Sequence, residues 1–348
     1  MTYRYEILKS FIVLVLIAFF LCLLNVPVCA QDKSIRGIKL KNGSIVYGKV
    51  LEMTVYKVVI ETREGKKEVY KFEDVAVFIF GSDEERARAE KLAQTKNSSF
   101  EIGLTYYHFY YKEKLDPPKK STENGWLPGI YLSTEYKKKS DVYAKLFLSY
   151  ATGELEYDGS TQTGTPLKFS ELTHEFYKVE GNVGYSIEIR KDFSLIPYIG
   201  YGFRNWKRGD TTVVQGAWWI KEKYNWHYIP LGLKCDYTIN ERWEMQGNLA
   251  AHYMFYGRMK LYYSEVDPGY GNYEFDLGNR VGWYVEAPIT YKINKDWSIV
   301  TSPWYEYSAI GQSNTVNIYY YGAYAGSAYE PASRTHQYGL NLGLSYKY

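Results

Sequence analysis

The chain has 348 residues, enough for two or three domains. Its 42 Lys and Arg against 39 Asp and Glu leave a net charge of +3, which excludes a dedicated nucleic-acid binder, since that would carry a strong basic excess. Hydrophobic residues at 46% and charged ones at 23% exclude global disorder, and three Cys with no Cys/His zinc spacing exclude a disulfide scaffold and leave no metal or other cofactor to expect. The aromatic excess is tyrosine, 39 residues against 15 Phe and 9 Trp, a side chain whose apolar ring and wet hydroxyl suit interfaces.

Residues 1–30 read as a secretory signal peptide. Arg4 and Lys9 precede an unbroken apolar run from Phe11 to Leu24, Pro27 breaks it, and Val28-Cys29-Ala30 places compact residues before a cut after Ala30. The run is short of the ~20 residues of a spanning helix. Val28 is bulkier than the residue that precedes the lipid-bearing cysteine of a lipoprotein, which argues against lipid on Cys29. Cleavage removes Cys22 and Cys29, and Cys235 alone makes no internal disulfide.

Residues 31–81 form a separate unit of five short strands: Ser34–Leu40, Ser44–Glu52, Val55–Arg63, Lys67–Phe72 and Val75–Phe80. Lys41-Asn42-Gly43 and Glu64-Gly65 are turn signals between them. Leu40-Lys41-Asn42-Gly43, Gly48-Lys49-Val50 and Val58-Val59-Ile60-Glu61-Thr62 resemble the SH3-like or Sm-like small barrels of bacterial envelope proteins. The five strands read as a small, strongly bent sheet or barrel, and the resemblance, which covers only this segment, implies the barrel fold and no particular ligand; the unit is expected in the periplasm, where residues 34–80 would contact a partner. In residues 82–97, Ser82 and Asp83 open Glu84–Gln94, a short linker helix with acidic residues in its first turn.

Residues 98–348 repeat a pattern of long strands. Short polar turns centred near 139, 191, 240 and 294 recur about every fifty residues, each flanked by an apolar or aromatic residue on both sides. Longer Gly- and aromatic-rich stretches lie between them, at 113–127, 155–172, 207–222, 262–279 and 311–334. Short turns at one end and long loops at the other are the pattern of an outer-membrane β-barrel. Period-two alternation agrees: Ile229, Leu231 and Leu233 oppose Tyr228, Gly232 and Lys234, and Leu340, Leu342 and Leu344 oppose Gly339, Asn341 and Gly343. The segments run ten residues or more, the length of a tilted membrane strand. Ten strands fit, with eight or twelve as alternatives. The last of them, ending on Tyr348, resembles the signature by which such barrels meet the barrel assembly machinery. The fold class is therefore all-β: a ten-stranded antiparallel transmembrane barrel in the outer membrane of a Gram-negative bacterium, contacting its lipid, preceded by the SH3-like barrel and the linker helix.

The parity that turns apolar residues to lipid turns charges inward. Lys178, Glu180, Arg204, Lys234, Asp236, His252, Arg280, Glu286 and Glu306 are the core of this set, with Glu101, Glu135, Lys145, Glu188, Glu244 and Arg258. A ten-stranded lumen is narrow, and unpaired charge in it is costly, so the set is expected to form a closed, salt-bridged interior.

Ten strands with long outward loops resemble the omptin family of outer-membrane proteases over residues 98–348, by topology rather than motif. That family's activity needs an Asp-x-His pair facing two acids; no Asp-x-His occurs here, so the resemblance implies the fold and leaves the protease chemistry without its residues. His252 is the best base candidate in the lumen, but no sequence pattern singles out a serine beside it. Trp218, Trp219, Tyr319, Tyr320, Tyr321, Tyr324 and Tyr329 are loop aromatics that could grip a glycan or peptide, or form an upper girdle. The resulting reading is a non-enzymatic surface-binding or envelope-structural protein. A narrow selective channel is one alternative, and an omptin-like protease or lipid-modifying hydrolase is another.

Overall fold

The computed structural model describes residues 35–62, 64–80, 97–138 and 140–348, so the signal peptide and the linker helix expected from the sequence lie outside the described residues. The chain divides between residues 94 and 95 into two compact units.

The first unit holds β1 (Ile35–Leu40), β2 (Ile45–Met53), β3 (Lys57–Thr62), β4 (Lys67–Lys71) and β5 (Val75–Phe80), in the antiparallel order β4-β3-β2-β1-β5. The first hairpin turns at Asn42-Gly43. Gly43 sits at φ +89°, where a side chain would be strained, and Asn42 Oδ1 accepts from the Ser44 amide at 3.0 Å. Ile38, Val58 and Ile60 are fully buried on one face, packed with Val46, Val50 and Phe78. This corrects the expected SH3-like closed barrel. β4 is only five residues long and runs straight into the 3-10 turn Phe72–Asp74, which takes the chain to the far side of β1. β4 and β5 thus end as the two separate edges of an open sheet.

The second unit is a closed barrel. Its wall begins with β6 (Ser98–Glu113), β7 (Ser121–Lys137), β8 (Val142–Ser160) and β9 (Pro166–Tyr185), followed by the short β10 (Ile187–Arg190) and by β11 (Phe193–Arg208). The small hairpin β12 (Thr212–Val214) and β13 (Ala217–Trp219) precedes β14 (Glu222–Thr238), β15 (Trp243–Leu261) and the short β16 (Tyr273–Leu277). One wall strand is interrupted at Pro288 into β17 (Val281–Glu286) and β18 (Ile289–Lys292). β19 (Trp297–Ile310), the hairpin β20 (Val316–Tyr320) and β21 (Ala323–Ala328), and β22 (Ser333–Lys347) complete the chain. Neighbours pair antiparallel around the wall, β9 bridges to β11, and β22 closes on β6, which makes ten wall strands.

Turn chemistry sets one end of this barrel. Asn240 Oδ1 caps the amides of Arg242 and Trp243, and Asn294 Oδ1 those of Asp296 and Trp297, each at 2.9–3.0 Å. The outward face between the ends is an apolar belt; Leu104 and Leu231 are each 64% exposed. Aromatic pairs mark its limits: Trp243–Tyr291 and Trp297–Tyr346 near the short turns, Tyr106–Trp126 and His108–Tyr338 toward the long loops.

The wall strands are longer than the sequence pattern indicates, up to 20 residues in β9, and their upper parts rise past the belt. There β15 carries a bulge: Asn225 pairs with Arg258 but His227 with Phe255, and Tyr256 takes φ +50°. The extra residue reverses the alternation. Arg258, expected in the lumen, turns outward to Glu274 and Asp276, and Met259 turns in.

Candidate functional site

The lumen is built in three layers, each supplied by side chains two residues apart on neighbouring strands. Nearest the short turns, Lys234 of β14 reaches Glu135 of β7 at 2.6 Å, and Lys137 reaches Asp236 at 3.0 Å. In the middle, the Arg204 guanidinium of β11 meets the Glu306 carboxylate of β19. His252 Nδ1 lies 3.5 Å from the same carboxylate. Lys178 sits 3.2 Å from Glu180, which also accepts from Tyr228 Oη at 2.7 Å and from the Asn182 amide at 2.9 Å. Arg204 also stacks on the Tyr228 ring at 5.4 Å.

Above the middle layer lies an aromatic plug. Phe109, Tyr111, Trp206, Tyr224, Trp226 and Tyr228 are buried against Met254, Met259 and Phe275. Trp206 stacks on Tyr224 at 4.6 Å and on Phe176 at 5.5 Å.

The third layer caps this plug at the long-loop end. Arg208, the last residue of β11, is buried among three carboxylates: Glu123 at 2.5 Å, Glu222 at 2.7 Å and Glu113 at 3.1 Å. The rings of Tyr111 and Trp219 each lie 5.1 Å from the guanidinium. His174 is fully buried; its Nδ1 accepts from Trp206 Nε1 at 2.9 Å, which places the ring proton on Nε2, 3.3 Å from Glu123. A fourth carboxylate, Glu330, drops in from the loop before β22 and accepts from Tyr224 Oη at 2.8 Å. Burial, and after it the charges of Glu113 and Glu222, raise the Glu330 carboxyl well above the ordinary carboxylate range.

Most residues expected in the lumen are found there: Lys178, Glu180, Arg204, Lys234, Asp236, His252 and Glu306 all face inward in ion-paired layers. Two depart from this pairing. Arg280 lies in the connection before β17, is exposed, and donates to the Asn279 carbonyl instead of an acid. Glu286 faces inward but meets no cation; it lines a cavity of about 110 Å³ at the short-turn end. Glu188, in β10, is exposed. Of the loop aromatics, Trp218, Tyr319, Tyr320, Tyr321, Tyr324 and Tyr329 are exposed, whereas Trp219 is packed on Tyr157, Phe169 and Arg208. Among the described residues, no three His, Cys, Asp or Glu side chains are arranged to hold a metal directly.

The model of the autotransporter beta-domain family matches residues 79–302, well over half of the chain. The chain belongs to the autotransporter beta-domain family. With the family comes the outer-membrane β-barrel of the Gram-negative envelope that the sequence indicates, and the closed wall has the ten strands expected. Among solved structures, the outer membrane protease OmpT from Escherichia coli is similar at 12% identity and TM-score 0.49, over 72% of this chain and 97% of that one. The translocator domain of autotransporter NalP from Neisseria meningitidis is similar at 8% identity and TM-score 0.38, over 76% and 94%. The outer membrane protein OprG from Pseudomonas aeruginosa is similar at 12% identity and TM-score 0.34, over 72% and 96%. No curated protein matches the chain.

The cap of this autotransporter-type barrel escaped the sequence reading. Glu113, Glu123, Arg208 and Glu222 fall in stretches read as loops, and His174 and Glu330 were not singled out. The signal was present: Arg204, Trp206 and Arg208 continue one inward row of β11, and His174, Phe176, Lys178 and Glu180 one row of β9.

Proposed function

We propose that the barrel is a sealed outer-membrane anchor that presents its loops for binding at the cell surface, with no catalytic or conducting role. The reading rests on the upper lumen, where buried ion pairs and stacked rings occupy the space above the middle layer and leave a cavity of only about 30 Å³ beside Arg204 and Trp206. His174 and Glu123 resemble a base with its orienting acid, but both are fully buried, so no substrate reaches them. The surface offered instead is the hairpin β20–β21. Its turn residue Tyr321 is 76% exposed and Tyr324 63% exposed, beside Tyr319 and Tyr320. Such rings stack on sugar or peptide faces. In this arrangement the long loops are extracellular and the short turns periplasmic, the open five-stranded sheet meets a periplasmic partner, and β22 is the strand the assembly machinery receives.

The test is a planar-bilayer recording of the full chain beside an adhesion assay on whole cells. No unit conductance is expected, and Tyr321→Ala with Tyr324→Ala is expected to weaken surface binding at least tenfold. Steady channels in the parent would overturn the sealed reading; unchanged adhesion would overturn the role of the hairpin.

A further inference from the structure

We propose that Glu330 is a pH-operated latch: with its carboxyl protonated it seats the loop between β21 and β22 in the cap, and on ionising it leaves the cap and loosens the base of the hairpin β20–β21. The cap holds four acids and one charged base. Glu113, Glu123 and Glu222 meet Arg208 at 3.1, 2.5 and 2.7 Å, and no other charged base pairs with them among the described residues. His174 adds no charge, because its Nδ1 accepts from Trp206. Glu330 is 5% exposed and forms no ion pair among the described residues. The titratable and charged groups around it are Tyr111 and Glu113 of β6, Glu123 of β7, Arg208 of β11, and Glu222 and Tyr224 of β14. The hydroxyls among them count the protons. Tyr224 Oη lies 2.8 Å from Glu330 and 2.9 Å from Glu222, so one hydrogen serves two carboxyl groups. Tyr111 Oη stands in the same way between Glu113, at 3.2 Å, and Glu330, at 3.5 Å. A further proton is needed at this junction, and Arg208 holds Glu113 and Glu222 as anions, so the proton belongs to Glu330. Burial, and after it the charges of Glu113 and Glu222, work in the same direction and keep that proton in place above the ordinary carboxylate range.

The backbone of Glu330 ties this titration to the surface. Its N–H donates to Ser313 Oγ at 2.8 Å, and the Ser313 N–H donates to its carbonyl at 3.0 Å. Ser313 lies just before β20 and Glu330 just after β21, so this reciprocal pair clasps both legs of the hairpin. Val316 and Ala328, which pair with each other at the base of the hairpin, pack against the buried plug. Loss of the Glu330 proton to solvent puts a fourth carboxylate beside three that already share a single guanidinium, and a buried charge without a partner is costly. The way out is short, since the adjacent Tyr329 is 51% exposed. The carboxylate therefore turns to water and the clasp opens with it, while the tip of the hairpin keeps its bonds to Tyr273 and Gly269. What the latch regulates rests on the reading of this hairpin as the presented surface; its existence does not.

The latch is tested by hydrogen–deuterium exchange of the full chain folded in neutral detergent micelles, labelled at pH 5 and at pH 9 with times scaled for the intrinsic rate of amide exchange. In the parent, peptides covering residues 311–316 and 329–333 are expected to exchange about tenfold faster at pH 9 than at pH 5 after scaling, while those from β19 keep one rate. This comparison needs no variant. Glu330→Gln, which copies the protonated acid, is expected to hold both segments at the slow rate at either pH. Adhesion is not read here, so a hairpin that binds nothing leaves the outcome intact. Equal scaled rates in the parent at the two pH values, or acceleration spread equally over β19, would overturn the latch. So would a Gln variant that opens at pH 9 as the parent does, which would give the switch to Glu123, or one already open at pH 5, which would show that Glu330 is seated as an anion.

Discussion

The two ends of the lumen solve opposite problems. At the long-loop end, Arg208 is buried among Glu113, Glu123 and Glu222, with the Tyr111 and Trp219 rings each 5.1 Å from it. At the short-turn end, Glu135, Lys137 and Glu244 are ion-paired, while Glu101, Glu286 and Lys145 line the same cavity without an ion pair. The same residue types are present in both places, so composition does not distinguish them. What differs is room: large aromatic side chains fill the upper cross-section, while small ones such as Ser298, Ser302 and Gly343 line the lower. Charge in the aromatic half is paired throughout, whereas in the lower half paired groups such as Lys234 and Glu135 stand beside acids that face a cavity large enough for water.

The contrast fails most visibly if the cap is not what holds the upper half. Arg208→Ala leaves three buried carboxylates without their cation and is expected to cost ~3–5 kcal/mol, read as a lowered midpoint in a urea titration from micelles. A loss below about 1 kcal/mol would mean that water reaches the cap and that both ends are alike. The belt between the ends provides the next largest effect. Leu231→Arg and Leu342→Arg are expected to cost ~2–4 kcal/mol on the outward face. Gln246→Arg, placed in the cavity wall, is expected to be tolerated much better, and equal losses in all three would break the assignment of faces.

A smaller effect sharpens the upper side of the comparison through pH. The folded Glu330 carboxyl holds its proton above the ordinary range because of burial and the neighbouring Glu113 and Glu222, offset only in part by Arg208; Tyr111 and Tyr224 are the other groups that face it. A raised folded pKa contributes stability that is complete below the unfolded value and is lost as pH rises through the folded one. Melting temperature should therefore fall as pH rises from the carboxylate range toward neutrality. Glu330→Gln should reduce that fall while matching the parent at pH 4, the remainder belonging to Glu123, whose carboxyl burial pushes up to about 7. A parent with a flat profile over this window would show that Glu330 is charged and paired. The smallest effect tests the lower side: Glu286→Ala should change stability by no more than about 0.5 kcal/mol, like positions outside a paired network. A large loss there would place Glu286 in the network that the alternation alone suggests.

The barrel was legible in the sequence because its signals are local. Asn240 and Asn294 write their own turns, and Leu231 and Leu342 declare their face by alternation with Gly232 and Gly343. The middle layer followed from the same parity. The cap was not legible, because above the belt the outward residues become polar and the amphipathic signal that marks a membrane strand disappears, so β7 and β14 seemed to end before Glu123 and Glu222. Arg258 was misplaced because a one-residue bulge leaves no trace in composition. Glu286 was misjudged because pairing depends on which side chains from distant strands reach it, and these are set by closure of the wall. The open edge between β4 and β5 belongs to the same class, since five well-marked short strands do not say whether the last returns to the fourth.

The bulge at Tyr256 carries a consequence for how the protein is held together. Below it, β15 points Leu249 and Tyr253 outward and Asn248 and His252 inward; above it, Arg258 and Lys260 point outward and Met259 inward. One residue thus switches the strand from the polarity of a lipid-dissolved wall to that of a water-dissolved one, and the buried Met259, Phe275 and Leu277 form an oily interior of the ordinary kind. The two stretches answer to different solvents. The upper interior is driven together by water and should loosen on cooling and in urea, while the lower wall owes its place to the hydrocarbon around it. Removing the surrounding hydrocarbon, whether bilayer or micelle, therefore takes away the support of one half of each strand and leaves that of the other in place.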